Sequence, residues 1–509
     1  MQNESGTGSQ SAAVSSQFNE TKFILLLSLL AAIRVFVFSA AFPFFDNVDE
    51  LMHFDLIMKY ANGHMPRQIE PISADSAPYV TLFYSYAYIR TPDNFPDRKF
   101  PPPLWTLPKE QMEQALAANT AAWQTQKNYD VAQAPLHYVL EAIWWHFGRW
   151  VCVPDGRLLY WLRFFNIILM AVLVWLAYAA ARMIFPENLF IRLGAPALLA
   201  FMPQSAFYSL GNDPLSAICF GATFICLMKW VSAEKPSLLI SGGTGLALAA
   251  TYLNKTTNLP LIVVAFAAVL LKILQSFRAG KVRELLPGLM MFMACAVPPM
   301  LAWMIWCKTN FGDPTGSKLN INYFGWTLKP FSEWWNHPIF TPAGIWTYLT
   351  GQLGTFWQGE FFWYNKPIAL PGSMAVYTIL TLVLLGIVLP SLWPRFSKAT
   401  PLQRNAFQFG MACLAAALCF FALISIMYDF HDSYNPSRWH PYIGEGRLFL
   451  GVLIPFLLLI ACGLDRALNR FGNSTKFAVL AIIISLMLTV EMVTDWPVFS
   501  NPYNWYHLP

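Results

Sequence analysis

The sequence predicts an all-helical integral membrane protein with about eleven transmembrane helices and two long loops on one side of the membrane. Of the 509 residues, 56% are hydrophobic and only 12% are charged, a composition that does not fit an ordinary water-exposed surface. Apolar runs of about twenty residues recur along the chain, and a helix of that length spans the roughly 30 Å hydrocarbon core of a bilayer. The eight cysteines show no CxxC spacing, so neither a disulfide framework nor a zinc site is indicated.

The chain begins with a polar segment, residues 1–22, which we expect to be a disordered cytoplasmic tail. The first apolar run extends from Phe23 to about Phe42, and its length predicts a retained membrane helix rather than a cleaved signal peptide. Further spans are predicted at roughly 159–181, 190–210, 214–231, 237–253, 257–275, 286–307, 373–393, 405–428, 447–463 and 476–494. We treat 23–495 as one membrane domain and 496–509 as an extracytoplasmic tail.

The distribution of basic residues predicts the orientation of the chain. The run from Leu136 to Trp150 has only fifteen residues and includes Glu141, so we place it on the outer leaflet. With a cytoplasmic N-terminus, the inside segments then contain Lys22, Arg182, Arg192, Lys229, Lys235, Lys272, Arg278, Lys281, Arg283, Arg395, Lys398, Arg404, Arg466, Arg470 and Lys476, and the short outside loops contain Lys255, Arg438 and Arg447. If the run spanned the membrane, this positive-inside bias would be inverted along most of the chain.

This orientation places three loops outside, at about 43–158, 308–372 and 429–446. The two long loops carry short helices, one of them predicted from Pro108 to Gln126. We expect functional residues in these loops, because the polar residues of the chain gather there.

The first outer loop opens with a cluster of acidic residues. Asp46, Asp49, Glu50 and His53 follow one another at i, i+3, i+4 and i+7, so a helix here would place all four on one face. Crowded carboxylates raise one another's proton affinity and can provide a general base or a cation site. In the ordinary alternative, Asp46 caps the helix, Asp49 and Glu50 favour the positive end of its dipole, and His53 is a polar surface residue.

A second acidic point lies in Gly211-Asn212-Asp213-Pro214, between two predicted spans. These residue types are also those of an ordinary tight turn. The predicted topology gives Asp213 a further importance, because it places this carboxylate on the same side of the membrane as Asp49.

Basic residues on the outer side run against the positive-inside bias and therefore require an explanation. Arg447 stands where the last outer loop enters the tenth predicted span, and Lys255 lies between the fifth and sixth. Either can bind a phosphate at the membrane surface, and the alternative for each is snorkelling to lipid headgroups or a local ion pair. Arg438 is a weaker candidate, and Glu360 is either a substrate contact or a solvated residue.

Two further arginines, Arg34 and Arg163, fall inside or near predicted spans. A charged side chain at membrane depth faces the protein interior and pairs with other polar groups. We therefore expect both to be structural partners of carboxylates.

Together these pieces resemble the GT-C superfamily of membrane glycosyltransferases. The resemblance rests on the Asp49-Glu50 pair after the first helix, an apolar helix introduced by Gln133-Ala134-Pro135-Leu136, and the Asn212-Asp213 point. The segments VDELMHF, MPQSAFYSLGNDPLSA, YLNKTTNLPLIV and EGRLFLGVLIP are similar to those of a poorly characterised bacterial family within that clan. The WWD signature of oligosaccharyltransferases is absent, and the second point has one acid where metal-using relatives have two. We therefore expect no metal and no other cofactor.

The resemblance implies an inverting glycosyltransferase of the plasma membrane, which in bacteria is the inner membrane. It would move a sugar from a polyprenyl-phosphate donor, held among membrane lipid, to a hydroxyl of a lipid, glycan or protein acceptor at the outer face. Asp49 would act as the general base. Further catalytic residues would be Glu50 and Asp213, and substrate-binding residues would be Asp46, His53, Asn212, Lys255, Glu360, Arg438 and Arg447. A nucleic-acid partner is not indicated, since the basic residues form no dense stripe.

The alternative is a multi-pass transporter, or a flippase or polymerase of lipid-linked glycans. Transporters tend to contain internal repeats and paired broken helices near the bilayer midplane, and the sequence shows neither. A polymerase of unrelated fold would also place basic residues outside, but it need not depend on Asp49.

Overall fold

The computed structural model describes residues 5–47, 49–396 and 398–508, with side chains from Glu20 onward. Its α-helices are α1 Ser5–Ala41, α2 Glu50–Ala61, α3 Ala77–Phe83, α4 Lys109–Trp123, α5 Leu136–Trp150, α6 Asp155–Arg163, α7 Phe165–Ile184, α8 Leu189–Ala200, α9 Asp213–Ser232, α10 Leu238–Asn254, α11 Leu259–Arg278, α12 Val282–Phe311, α13 Ser317–Tyr323, α14 Pro342–Leu349, α15 Thr355–Gln358, α16 Ser373–Val388, α17 Pro401–Met427, α18 Leu453–Ala467 and α19 Asn473–Phe499. Its strands are β1 Glu70–Pro71, β2 Lys127–Asn128, β3 Thr327–Leu328, β4 Phe362–Trp363, β5 Lys366–Pro367 and β6 Tyr428–Asp429.

Nine helices of the described residues are long and apolar enough to cross a membrane, which confirms the predicted all-α membrane fold. They are Glu20–Ala41, Asp155–Ile184, Asp213–Ser232, Thr256–Arg278, Val282–Phe311, Ser373–Leu392, Pro401–Met427, Gly446–Ala467 and Asn473–Phe499. The other two predicted spans correspond to the shorter helices α8 and α10, of 12 and 17 residues. The helix α8 ends at Ala200, three residues before Pro203, because proline disfavours helical geometry in the residue before it and provides no N–H.

The first helix is longer than the sequence predicts. It extends back from the membrane run to Ser5, into the segment 5–22 that the composition assigns to a disordered tail. Once a helix has nucleated, each further residue adds a hydrogen bond at little cost, so the stable apolar part of α1 can carry the polar residues before it.

The helix α18 and the turn before it form the centre of the bundle. The span Gly446–Ala467 is 89% buried, whereas the last span, Asn473–Phe499, is 17% buried and lies at the periphery. The helices α7, α8, α9, α16 and α17 all pack against α18. This packing brings Arg447, at the beginning of the central span, to the middle of one end of the bundle.

Arg34 confirms the expectation of a structural arginine inside the membrane. Its guanidinium donates to Glu491 at 2.7 Å and to the carbonyls of Ala200 and Met202 at 3.1 and 2.9 Å. These carbonyls belong to the end of α8 and the turn after it, where the helix provides no partner. Arg34 therefore joins α1 to α19 and satisfies the backbone where α8 stops.

The three loops that the sequence places outside, at about 43–158, 308–372 and 429–446, lie together at one end of the bundle, which we call the loop end. Within the first loop, β1 pairs antiparallel with β2, and α4 confirms the predicted helix. The second loop is joined to the third by the antiparallel pair β3–β6, and to the first by a hydrogen bond from the N–H of Tyr364 to the carbonyl of Ala87 at 2.7 Å. The helix α5 has 15 residues and is not among the candidate spans.

Candidate active site

Five ionisable side chains from five separate segments meet at the loop end. They are Asp49 before α2, Asp213 at the beginning of α9, Lys255 after α10, Glu360 after α15 and Arg447 before α18. We call this group the Arg447 cluster. All five belong to the residues that the sequence analysis singles out.

Arg447 is the centre of the cluster, with three carboxylates around its guanidinium. Its Nη2 lies 2.9 Å from Asp49 Oδ2, its Nε 3.4 Å from Glu360 Oε2, and its Nη1 3.7 Å from Asp213 Oδ2. Lys255 Nζ donates a short hydrogen bond to the other oxygen of Asp213. Two cations and three carboxylates thus share one small region.

The conformation of Asp49 directs its side chain away from its own helix. Asp49 lies at the N-cap position of α2 in the left-handed region, with φ 62°, and its carboxylate makes no capping hydrogen bond. Aspartate tolerates this region better than most residues. The carboxylate instead accepts hydrogen bonds from Arg447 and, at 2.9 Å, from Tyr129 Oη. Capping by Asp46, the ordinary alternative, is not observed.

The electrostatic environment keeps Asp49 ionised. Burial by itself would raise the pKa of this carboxyl group, but the charge of Arg447 and the hydrogen bonds from Arg447 and Tyr129 outweigh burial and lower the pKa below its usual value. Asp49 in this state is an anion held by an ion pair.

The four polar residues 46, 49, 50 and 53 do not share one helical face, because the helix begins only at Glu50. Glu50 faces the protein core, where its carboxylate accepts hydrogen bonds from the N–H groups of Phe45 and Leu210 and from Arg163. Asp46 lies before the helix and is fully buried. Neither Asp46 nor Glu50 makes an ion pair with Arg447.

Two asparagines hold the beginning of α9 against the end of α10. Asn254 Nδ2 donates to the carbonyl of Asn212 at 2.7 Å, and Asn212 Nδ2 donates to Gln133 Oε1 at 3.3 Å. Asn212 thus joins the Gln133-Ala134-Pro135-Leu136 motif to the two segments that carry Asp213 and Lys255. It is a positioning residue in this arrangement.

His53 lies beside the cluster as a neutral imidazole. Its Nδ1 forms a hydrogen bond with Tyr138 Oη at 2.7 Å. Burial lowers the pKa of His53 to about 4, so the ring carries no charge at neutral pH. It is 3% exposed, and it is not the polar surface residue of the ordinary alternative.

Glu360 is placed in the cluster by the glycine before it. Gly359 has φ 76°, and a Cβ at this position would lie 2.2 Å from Ser205 Oγ, so the turn requires glycine. Burial raises the pKa of Glu360 to about 8, and its Oε1 is buried without a hydrogen-bond partner. Glu360 therefore holds a proton at neutral pH.

Three members of the cluster, Asp213, Glu360 and Arg447, line a cavity with about 320 Å³ of space not occupied by atoms, open solvent at its mouth included. Lining residues include Asn47, His53, Ser205, Asp213, Glu360 and Arg447. The cavity offers cationic, anionic and neutral hydrogen-bonding groups to a ligand, as expected of a site that positions a polar substrate.

Arg438 does not join the cluster. It is exposed and pairs with Asp429 at 3.1 Å. Tyr129, in contrast, contacts Asp49 and is absent from the sequence analysis, since nothing in the sequence pairs a tyrosine 80 residues away with this carboxylate. Within the described residues, no group of three or more His, Cys, Asp or Glu side chains is placed to hold a metal ion.

Comparison with known proteins gives one family match. The family described as "Predicted membrane protein (DUF2142)" matches residues 32–429, a range that includes Asp49, Asp213, Lys255 and Glu360 but ends before Arg447. No curated protein matches the sequence.

Among solved structures, the chain is similar to the archaeal oligosaccharyltransferase AglB from Archaeoglobus fulgidus, determined in complex with an inhibitory peptide and a dolichol-phosphate. The likeness covers 95% of this chain and 56% of that chain, with 13% identity and a TM-score of 0.42. This chain therefore spans little more than half the length of AglB.

Proposed function

The chain belongs to the family of predicted membrane proteins DUF2142, and we propose that it is an inverting glycosyltransferase. The donor in this proposal is a sugar linked to a polyprenyl phosphate, and the acceptor is a hydroxyl group at the outer face of the plasma membrane. The observation that carries the proposal is the Arg447 cluster at the end of an apolar bundle. Asp49, a carboxylate without a capping role, pairs there with Arg447 at the wall of a cavity, and a second cation, Lys255, pairs with Asp213.

The cations of the cluster suit the phosphate of the donor. A guanidinium binds phosphate oxygens through two parallel N–H donors, and Arg447 stands at the cavity wall with a side chain 15% exposed. Lys255 lies on the other side of Asp213 and adds a second positive charge. The apolar spans around the loop end provide a place for the polyprenyl chain within the bilayer.

Asp49 suits the role of general base. The acceptor oxygen attacks the anomeric carbon from the face opposite the phosphate, its O–H proton passes to the Asp49 carboxylate, and the bond between the anomeric carbon and the phosphate oxygen breaks. The electron pair of that bond remains on the polyprenyl phosphate, whose charge Arg447 and Lys255 stabilise. A single displacement of this kind inverts the configuration at the anomeric carbon.

Donor binding would also activate Asp49. In the free protein, the ion pair with Arg447 lowers the pKa of Asp49 and makes it a weak base. A phosphate that attracts Arg447 competes with this ion pair, so the proton affinity of Asp49 rises when the donor is in place. Base strength and donor binding are thereby coupled through one guanidinium.

The remaining residues support this chemistry. Asp213 holds Lys255 and Arg447 in position, and neutral His53 and protonated Glu360 provide hydrogen bonds to the sugar or the acceptor without adding charge. We place the Arg447 cluster at the outer face because most basic residues of the loops lie at the other end of the bundle, which the positive-inside rule assigns to the cytoplasm.

The experiment measures transfer of label from a panel of polyprenyl-phosphate sugars to membrane extract by the purified full-length protein. We expect transfer by the wild type, and a loss of about 10²- to 10⁴-fold in Asp49→Asn, the usual contribution of a general base. Arg447→Ala should also lose transfer.

The matched controls are Asp93→Asn and Arg98→Ala, which alter an exposed ion pair elsewhere in the first loop and should keep full activity. If no donor is consumed under any condition, or if Asp49→Asn keeps the full rate at equal folded amounts, the proposal is wrong and a transporter becomes the better hypothesis.

A further inference from the structure

A second cavity lies in the first loop, between the end of α3, the segment after it and the last turn of α4. It opens to solvent, and the space not occupied by atoms is about 570 Å³ with the open solvent at its mouth included. Its lining includes Thr81, Tyr84, Tyr86, Asn119, Trp123 and Gln126. None of the residues that line this cavity is charged, in contrast to the Arg447 cluster.

The lining combines aromatic rings with free amide groups. The ring of Tyr84 lies 4.9 Å from that of Trp123 and 5.6 Å from that of Tyr86, measured between centroids. The side chains of Asn119 and Gln126 are exposed and make no hydrogen bond with the described part of the chain. Sugars match such a lining, because their C–H faces pack on aromatic rings and their hydroxyl groups pair with amides. An anionic or cationic ligand would find no opposite charge here.

A row of tyrosines leads from this cavity to the Arg447 cluster. Tyr84, Tyr86 and Tyr88 are half-buried, whereas Ser85 and Ala87 between them are buried. Each of the three tyrosine side chains is therefore partly accessible at the surface of this segment. Tyr84 and Tyr86 line the cavity, so Tyr88 continues the row beyond it.

The far end of the row is joined to the cluster by the second loop. The carbonyl of Tyr88 accepts a hydrogen bond from the N–H of Asn365 at 3.0 Å. Its ring lies 6.4 Å from that of Phe362, a residue of β4 two positions after Glu360. Burial and the nearby carboxylate of Asp49 raise the pKa of the Tyr88 hydroxyl, and the charge of Arg447 opposes them, as expected for a side chain at the edge of the cluster.

From this arrangement we infer that the cavity and the tyrosine row bind the acceptor, and that the acceptor is a neutral carbohydrate chain. The inference rests on the proposed function and names its acceptor class. A glycan lying along the row, with its body in the cavity, brings its terminal hydroxyl to Asp49. The reaction is the displacement described above, and the glycan oxygen forms the new bond to the anomeric carbon.

Direct binding tests the cavity without any donor. The full-length protein in lipid nanodiscs is titrated with labelled neutral oligosaccharides built from glucose, mannose, galactose or N-acetylglucosamine. We expect at least one to bind the wild type, and we expect Trp123→Ala to weaken its binding about tenfold or more, because the ring that packs against the sugar is lost. Trp123→Phe, which keeps a ring, should recover most of the affinity. Trp335→Ala removes an exposed tryptophan of the second loop and serves as the matched control.

Transfer kinetics provide the second readout. With the donor present, Trp123→Ala and Asn119→Ala should raise KM for the glycan acceptor about tenfold with a much smaller change in kcat, because the cavity binds the acceptor far from the reacting atoms. Binding of a peptide or a lipid in place of glycans, or an unchanged KM in both variants, overturns the inference. The two failures are distinguishable: a protein that binds glycan through Trp123 but never consumes a donor contradicts only the proposed function.

Discussion

Asp49 and Glu50 are neighbours in the sequence, and each pairs with an arginine from a distant part of the chain, but the two ion pairs differ in almost every physical respect. The pair of Glu50 with Arg163 is closed and completely satisfied. The Arg447 cluster around Asp49 is shared, looser and open to a cavity. The contrast separates a charge that stabilises the fold from charges that remain available to a substrate.

The closed pair uses every group of its two side chains. Arg163 donates to both oxygens of Glu50 at 2.7 and 2.6 Å, and also to the carbonyls of Ser39, Phe42 and Pro43. Glu50 accepts two further backbone N–H bonds, and both side chains are fully buried. No donor or acceptor remains for a ligand, so this pair fixes the end of α1 to α2 and α6.

The Arg447 cluster divides one guanidinium among three carboxylates at 2.9 to 3.7 Å. Glu360 keeps an oxygen without a partner. The hydrogen-bonding groups of this cluster are not all satisfied, so a bound anion can replace some of the contacts between them. We infer that Asp49 is the functional residue of the Asp49-Glu50 pair, because its arginine is shared among several carboxyl groups at the cavity wall, whereas every donor of the arginine that binds Glu50 is used.

The largest expected effect tests this contrast through stability. Glu50→Gln leaves Arg163 buried without its counter-charge, which typically costs about 3–5 kcal/mol. Asp49→Asn leaves Arg447 with Asp213 and Glu360, so the change should be within about 1 kcal/mol, as for weakly coupled pairs. Unfolding of the two purified variants in one detergent measures both values. Equal destabilisation by the two substitutions would remove the distinction between the two ion pairs.

A smaller effect concerns bidentate binding by the planar guanidinium groups of Arg447 and Arg163. Arg447→Lys keeps the charge but loses bidentate binding, so we expect KM for the donor to rise about 10- to 100-fold, which corresponds to ~1.5–3 kcal/mol for a charged hydrogen bond. The same exchange at Arg163 should instead lower stability and yield. Transfer kinetics at saturating acceptor measure the first, and thermal unfolding the second. A donor KM unchanged in Arg447→Lys would contradict a phosphate contact by this side chain.

The pH dependence should show a still smaller effect, through Glu360. Its pKa of about 8 means that it is neutral below pH 8 and becomes an anion above it, where it competes with the donor phosphate for Arg447. We expect KM for the donor to rise about three- to tenfold between pH 7 and 9, the size of one added like charge at ~1 kcal/mol. Glu360→Gln should remove this rise. Because the folded state binds this proton more tightly than the unfolded chain, Glu360 also makes stability fall as pH rises towards 8. A donor KM that is flat with pH in the wild type would show that Glu360 carries no such charge.

The sequence predicts the fold class well and the site in part, for identifiable reasons. Apolar runs of sufficient length indicate membrane helices, and the basic residues indicate which loops are cytoplasmic. The all-helical membrane fold can therefore be predicted from the sequence. Of the two shorter helices, α10 agrees with the predicted run 237–253 within one residue, whereas α8 ends at Ala200, ten residues before the end of the run predicted at 190–210. Hydrophobicity alone does not show where a helix stops.

The candidate site shows more clearly what a local sequence pattern cannot predict. Asp49, Asp213, Lys255 and Arg447 are found by their position at the ends of apolar runs, because such ends meet on one side of a membrane. The distinct roles of Asp49 and Glu50 are not found, since a helical pattern cannot reveal that Asp49 adopts φ 62° and that the helix begins one residue later. Tyr129 is missed for a similar reason, since its contact with Asp49 depends on how the first loop folds back.

The smallest expected effect is that of chelation, and it follows from how the cluster uses its carboxylate oxygens. Asp49 accepts from Tyr129 with one oxygen and from Arg447 with the other. Asp213 likewise faces Lys255 with one oxygen and Arg447 with the other. Since protein cations already face these oxygens and can face a phosphate, we expect EDTA to change the transfer rate by less than about twofold, and added Mg²⁺ or Mn²⁺ to have as little effect. A transfer rate that EDTA abolishes and Mn²⁺ restores would show instead that the donor brings a metal ion into the cluster and that Arg447 gives up its carboxylates to it.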